Sequence, residues 1–238
     1  MDVVENKQAD SAVDRMFKAG AHFGFSKSRR HPSSAPFIFG VKNNVEIFDL
    51  AQTESKLTAA KEFVKKLGVE GKTLVFVSGK NEAMGAVRSA AESLGVPYIA
   101  GRWIGGTITN FGEIRSRVEK LLDLQQKREK GELAKYTKKE RLLIDREIAK
   151  LELLFTGLIP LKSLPHALFV IDPRREHIAV REAKRGKIPV VALCGSDCNV
   201  NEITYPIPAN DGSMASIKFF VEEIAAAYKE GKGQAVSV

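Results

Sequence analysis

Four short stretches carry residue types able to do chemistry. Ser78-Gly79-Lys80 follows an apolar run and precedes a helical pattern, where a phosphate loop would sit. It lacks the G-x-x-x-x-G-K-[ST] spacing that wraps backbone amides around phosphates. Gly101-Arg102-Trp103-Ile104-Gly105-Gly106 also follows a strand pattern, but no glycine stands at 103, so the G-x-G-x-x-G fingerprint fails. Asp172-Pro173-Arg174-Arg175-Glu176-His177 gathers acids, arginines and a histidine at a strand's end. Catalysis there would need a nucleophile or metal partner for His177, and the sequence identifies none. Two readings stay open: Asp172 as an N-cap before proline and solvated charges, or Arg174 and Arg175 positioned for phosphate.

The fourth stretch is Cys194-Gly195-Ser196-Asp197-Cys198. Redox and zinc motifs more often place two residues between cysteines, and zinc would need two further ligands. The histidines at 22, 31, 166 and 177 show no paired spacing. The cysteines therefore read as reduced and structural, and neither metal nor cofactor is expected.

Charge says more. The net charge is +8 and the pI about 9.4, which suits a polyanionic partner without specifying one. From Arg15 to Lys42 there are six Lys/Arg and no Asp or Glu, whereas an ordinary surface mixes both signs. Within it, Lys27, Arg29 and Arg30 lie in a Ser/Pro-rich loop able to follow a nucleic-acid backbone. Phe23 and Phe25 are of the type that stacks on bases, although Phe23 reads as a core residue. Lys18, His22, Lys27, Arg29, Arg30 and His31 are this segment's candidate RNA contacts. Farther along, Arg102, Asn110, Arg115, Arg117, Lys138, Lys139, Arg174 and Arg175 join them. Residues 102–150 hold 13 Lys/Arg against 8 Asp/Glu, most of them solvated helix faces.

The elements that must position these residues follow from periodicity. At 238 residues, 44% apolar and 28% charged, the chain suits one soluble domain with an insertion. No run approaches 18 apolar residues, so no membrane span is expected, and the polar N-terminus is no secretory signal. Residues 1–15 read as a loose or weakly helical leader and 230–238 as a tail. Phe37-Ile38-Phe39 and Val45-Glu46-Ile47-Phe48 suggest a hairpin. Helices are expected from about Thr53 to a stop at Gly68, Glu82 to Leu94, about 177 to Arg185, and Met214 to Lys229. Strands are expected at 73–77, 96–100, 167–171 and 188–194, with Tyr205-Pro206-Ile207-Pro208 at an edge, where proline is tolerated. This alternation predicts a doubly wound, mostly parallel sheet over 16–110 and 157–229. Between them, apolar positions three and four apart (Phe111, Ile114, Val118, Leu121; Ile144, Ile148, Leu151, Phe155) predict two helices of a protruding antiparallel hairpin over 111–156. Gly101, Trp103, Gly105 and Gly106 form the pivot before it, with Trp103 expected to be buried against the sheet.

Several segments together resemble the bacterial small-subunit ribosomal protein number two. They are Ala19-Gly20-Ala21-His22-Phe23-Gly24, Ile38-Phe39-Gly40, Asp49-Leu50, Arg102 through Phe111, Leu164 through Ala183, Ile188 through Leu193, and Ile207-Pro208 followed by Asn210-Asp211. The resemblance spans about residues 15 to 228 in order. It implies a flavodoxin-like sheet with a helical hairpin, bound to small-subunit ribosomal RNA between head and body. It also implies a structural and assembly role without catalysis or small-molecule substrate, in the cytoplasm or an organelle. The implied partners are neighbouring small-subunit proteins, including the subunit's large flexible first protein. The chain departs from the family pattern at Phe25, Arg30 through Ser33, Gly195 through Val200, and Ala209. The competing expectation is a nucleotide- or phosphosugar-binding enzyme on the same sheet.

Overall fold

The structure is a computed structural model that describes residues 11–235. The leader and tail expectations fall partly outside that range; inside it the leader's end is helical, one of the two forms expected, and the tail's start is corrected. Helix α1 (Ala12–Lys18) already occupies the leader's end, closed by a Ser11–Asp14 capping box. The final helix does not stop at Lys229 but continues to Ala235.

After α1 come three short strands: β1 (Phe23–Ser26), β2 (Ile38–Lys42) and β3 (Val45–Phe48). They form an antiparallel sheet in the order β1-β3-β2. The β2–β3 hairpin matches expectation. Its turn places Asn43 and Asn44 at φ 51° and 63°, a conformation asparagine tolerates better than most residues. Strand β1 is a correction: two of its four residues are glycine and serine, so it carries little β signal.

The chain then alternates: α2 (Leu50–Val69), β4 (Leu74–Ser78), α3 (Asn81–Leu94), β5 (Tyr98–Ala100), α4 (Phe111–Glu129), α5 (Lys138–Phe155), β6 (Ala167–Ile171), α6 (His177–Arg185), β7 (Val190–Cys194), β8 (Tyr205–Pro208) and α7 (Met214–Ala235). Strands β4, β6 and β7 are buried throughout, as the inner strands of a two-sided parallel sheet must be. The order is β5-β4-β6-β7-β8 and every pairing is parallel. One face packs Leu74, Phe76 and Phe169 under α2, α3 and α7. The other packs Val75, Val77 and Val170 under α4, α5 and α6. This is a flavodoxin-like, doubly wound α/β fold.

Gly68 was expected to stop a helix, but it lies inside α2 because it faces Gly231 of α7. A Cβ on Gly68 would come within 2.6 Å of the Tyr228 carbonyl, and one on Gly231 would strike the Lys65 carbonyl. Both glycines serve close helix approach.

Helices α4 and α5 bury Ile114, Val118 and Leu121 with Ile148, Leu151 and Phe155. Thr137 and Glu140 form the expected capping box of α5. Lys120 pairs with Glu147, while Gln125 donates to Glu152 at 2.8 Å. Partner numbers would fall as the first helix advances in a strict antiparallel ladder. Here they rise, so side chains reach obliquely between the helices.

Candidate nucleic-acid interface

Parallel strands deliver their following loops to one edge, where a doubly wound sheet ordinarily binds its ligand. Here β4 leads to Gly79 and Lys80, β5 to Gly101–Asn110, β6 to Asp172–Glu176, β7 to Gly195–Cys198 and β8 to Asp211. A nucleotide site would aim free amides and a lysine at open space from these loops. Instead Lys80 and the amides of Gly79, Gly106, Ile108 and Thr109 meet carboxylates of the same chain.

Lys80 Nζ lies 2.8 Å from both Asp172 Oδ2 and Asp211 Oδ2. Burial pushes the Lys80 ammonium down, but the two aspartates outweigh it and leave its pKa raised. Burial lifts Asp211 to about 6 despite the lysine. Cys198 Sγ lies 3.9 Å from Asp172 Oδ1. Asp172, Cys198 and Asp211 bring one ligand atom each within 4.8 Å of one another. The Lys80 ammonium stands among them as the balancing cation. Both cysteines are free, buried thiols, and burial raises both pKa values.

The Gly79 amide binds Glu176, a carboxylate pushed up by burial and held back by that bond. Glu176 so fills the loop that a Cβ on Gly79 would collide with its Oε1. Asp172 is not a helix cap, correcting one of the two sequence readings. It takes a left-handed φ of 61°, and its side chain accepts the Arg175 N–H at 3.1 Å. Glu176 occupies the N-cap position of α6.

The pivot holds the third such arrangement. Gly101 and Gly106 sit at φ 147° and 95°, conformations that favour glycine. The turn presents the amides of Gly106, Ile108 and Thr109, and Glu182 of α6 accepts all three at 2.7, 2.9 and 3.2 Å. Trp103 Nε1 also donates to Glu182 at 3.3 Å, and its side chain is buried beside Val77, Ile99 and Ile114. Burial alone would raise the Glu182 pKa, but these donors hold it below the ordinary value. The loop is an anion cradle after all, with an internal anion.

The candidate cations sort by what they touch. Arg29 and Arg174 share Asp197, at 3.3 and 2.5 Å. Arg29 also covers the Phe25 ring, 4.3 Å from its centroid. Arg30 pairs at 3.1 Å with Glu46, which is fully buried. His31 caps the turn Pro32–Phe37, and its backbone N–H donates to the Ser196 carbonyl. The Ser196 hydroxyl accepts the Phe25 N–H at 2.9 Å. The basic loop is thus stitched onto the 195–200 loop.

Arg102 and Arg175 line one open cleft of about 410 Å³ with Gly79, Asn81 and Trp103. Both are exposed, and neither carries a salt bridge among the described residues. Lys18 and Lys27 are exposed, as are Lys138 and Lys139 in the first turn of α5. Arg115 and Arg117 bind Glu119 and Glu113, one turn away. Asn110 occupies the N-cap position of α4 without a side-chain bond to it. His22 stacks on Phe17 at 4.3 Å. Phe23, expected in the core, is 48% exposed: Met16 and Ala21 take the buried positions, leaving Phe17 and Phe23 outside.

Sequence reasoning missed Glu46, Glu182, Asp197 and Asp211 as partners. Their signal was weak, because a buried acid in a helix, within a strand or after one looks like a solvated one.

The family description "Ribosomal protein S2" matches residues 16–231. The small ribosomal subunit protein uS2 of Coprothermobacter proteolyticus is 41% identical over 220 residues, covering 92% of this chain and 82% of that one. Its namesake in Nitratiruptor is 41% identical over 217 residues, covering 91% and 81%. That of Chloroflexus aurantiacus is 39% identical over 219 residues, covering 92% of each. With internal carboxylates in the ligand positions and a match across nine-tenths of its length, the chain belongs to the ribosomal protein S2 family.

Proposed function

We propose that this protein is a structural constituent of the small ribosomal subunit that binds ribosomal RNA between head and body and supports subunit assembly. One observation carries the reading. The ligand-facing groups at the sheet's carboxyl edge are satisfied from within, while Arg102, Arg175 and Lys27 face outward without a salt bridge among the described residues. Such a surface attracts a polyanion and offers a nucleotide no free cradle. Contacts run through the basic segment 15–42, the Arg174-Arg175 turn and exposed Lys138 and Lys139. Helices α4 and α5 form the hairpin insertion, and neighbouring small-subunit proteins dock beside it, among them the large flexible first protein. The protein acts on cytoplasmic ribosomes, and no helix among the described residues is long and apolar enough to cross a membrane.

The test is RNA binding by the free protein across a salt series, with sedimentation of small subunits from the source cell. The expected outcome is co-sedimentation and an affinity falling steeply with salt, by a log–log slope of about 0.7–0.9 per phosphate contacted. Small subunits lacking the chain, or tight nucleotide binding abolished by replacing Ser78 and Lys80, would overturn it.

A further inference from the structure

Beyond charge, the surface carries an unusual run of rings. Helix α1 ends at Lys18, and Gly20, at φ 73°, turns the chain into β1. Met16 and Ala21 are fully buried, so their neighbours Phe17 and His22 point the other way. The Phe17 and His22 rings stack at 4.3 Å and 13°, and His22 and Phe23 meet at 4.0 Å and 40°. Phe17 is 60% exposed and Phe23 48%. Two phenyl rings so exposed are unfavourable in water unless something covers them.

We propose that Phe17, His22 and Phe23 form a stacking platform for an unpaired nucleobase of RNA. Three further observations favour a base as the occupant. The platform lies in the segment 15–42, which holds no acid and, beside the paired Arg15, Arg29 and Arg30, carries the exposed Lys18, Lys27 and Lys42. A polyanion with aromatic faces complements that surface, as in single-strand recognition. His22 Nδ1 is buried without a partner, and burial lowers the ring's pKa. The central ring is therefore neutral near pH 7, and the platform works by stacking while its neighbours supply charge. Phe25 is excluded from it, because Arg29 already covers that ring.

This inference rests on the RNA-binding reading above, and the experiment separates the two. The full chain is titrated against an oligouridylate carrying one central adenosine, and against a fully abasic strand of the same length. Phe17→Ala with Phe23→Ala should lower affinity for the adenosine strand about tenfold. Affinity for the abasic strand and the unfolding midpoint should stay unchanged, because both rings are largely exposed. Phe23→Tyr should retain binding. Equal losses on both strands would overturn the platform. So would an unchanged adenosine affinity where Lys27→Ala still weakens binding, which would leave the RNA reading standing. If neither strand binds at any salt concentration, both readings fall. Loss of a protein from reconstituted small subunits with RNA affinity unchanged would assign the rings to a protein partner and also overturn the proposal.

Discussion

Glu182 accepts the Ile108 N–H at 2.9 Å from 74 positions away in the sequence. Its other oxygen takes the Gly106 N–H at 2.7 Å and the Trp103 indole at 3.3 Å. One carboxylate on α6 thus sets the turn from which α4 departs.

Replacing that carboxylate should loosen the turn. Glu182→Gln keeps the shape but puts a donor against backbone donors. Leaving buried donors unpaired costs about 1–3 kcal/mol, roughly 3–10 °C in midpoint for a chain of this size. The acid in the folded protein lies below its ordinary 4.5. Its contribution is therefore complete above that value and lost as pH falls through the folded pKa. Thermal melts from pH 7 to pH 3 should show the gap between wild type and Glu182→Gln closing at the acid end. A gap independent of pH would refute this account.

Lys80 should matter for the opposite reason. Lys80→Met leaves Asp172 and Asp211 buried without their cation, and breaking a buried pair costs about 3–5 kcal/mol. Asp211 already sits at about 6 with the lysine present, above its ordinary 3.8. A raised acid stabilises fully below its unfolded pKa, and that contribution disappears as pH rises through the folded value. The variant should therefore be weakest at pH 8 and recover towards pH 5. Adding Asp211→Asn should flatten that dependence. Urea midpoints across this range check both outcomes.

These groups show what sequence could and could not reveal. The inner strands were legible because β6, β7 and all of β4 but its final Ser78 are apolar runs, and a run buried on both faces needs no partner to be recognised. Helix α5 was legible from its own capping box. Strand β1 was not, because its pairing with β3 supplies what Phe23-Gly24-Phe25-Ser26 lacks in propensity. Gly68 reads as a stop, and Gly231 falls in the expected tail, because a glycine needed for helix contact and a glycine outside a helix look alike in one sequence. The candidate surface was half legible. Its positive charge could be counted, but Arg29, Arg30 and Arg174 meet Asp197 and Glu46 only through the fold.

Gly79 and Glu176 should be coupled. A Cβ at Gly79 would strike Glu176 Oε1 and come within 3.1 Å of the Gly101 carbonyl. Gly79→Ala should cost about 1–3 kcal/mol as overpacking. In a Glu176→Ala background the carboxylate is gone, so the same substitution should cost less, by about 0.5–3 kcal/mol of coupling. A double-mutant cycle in urea measures the difference. Strict additivity would mean that Glu176 does not fill the loop.

Arg30 tests whether a cation in the basic segment belongs to RNA or to the fold. Glu46 is fully buried, one of its oxygens has no partner, and Arg30 holds the other at 3.1 Å. Arg30→Met should therefore destabilise by about 3–5 kcal/mol, and Glu46→Gln in the same chain should restore much of that. The restored double variant has lost one cation and one anion, so its net charge is unchanged. If Arg30 serves the fold, its RNA affinity and salt slope should match wild type, whereas Lys27→Ala should flatten the slope by about 0.7–0.9. A slope reduced equally in both would place Arg30 on a phosphate despite its buried partner.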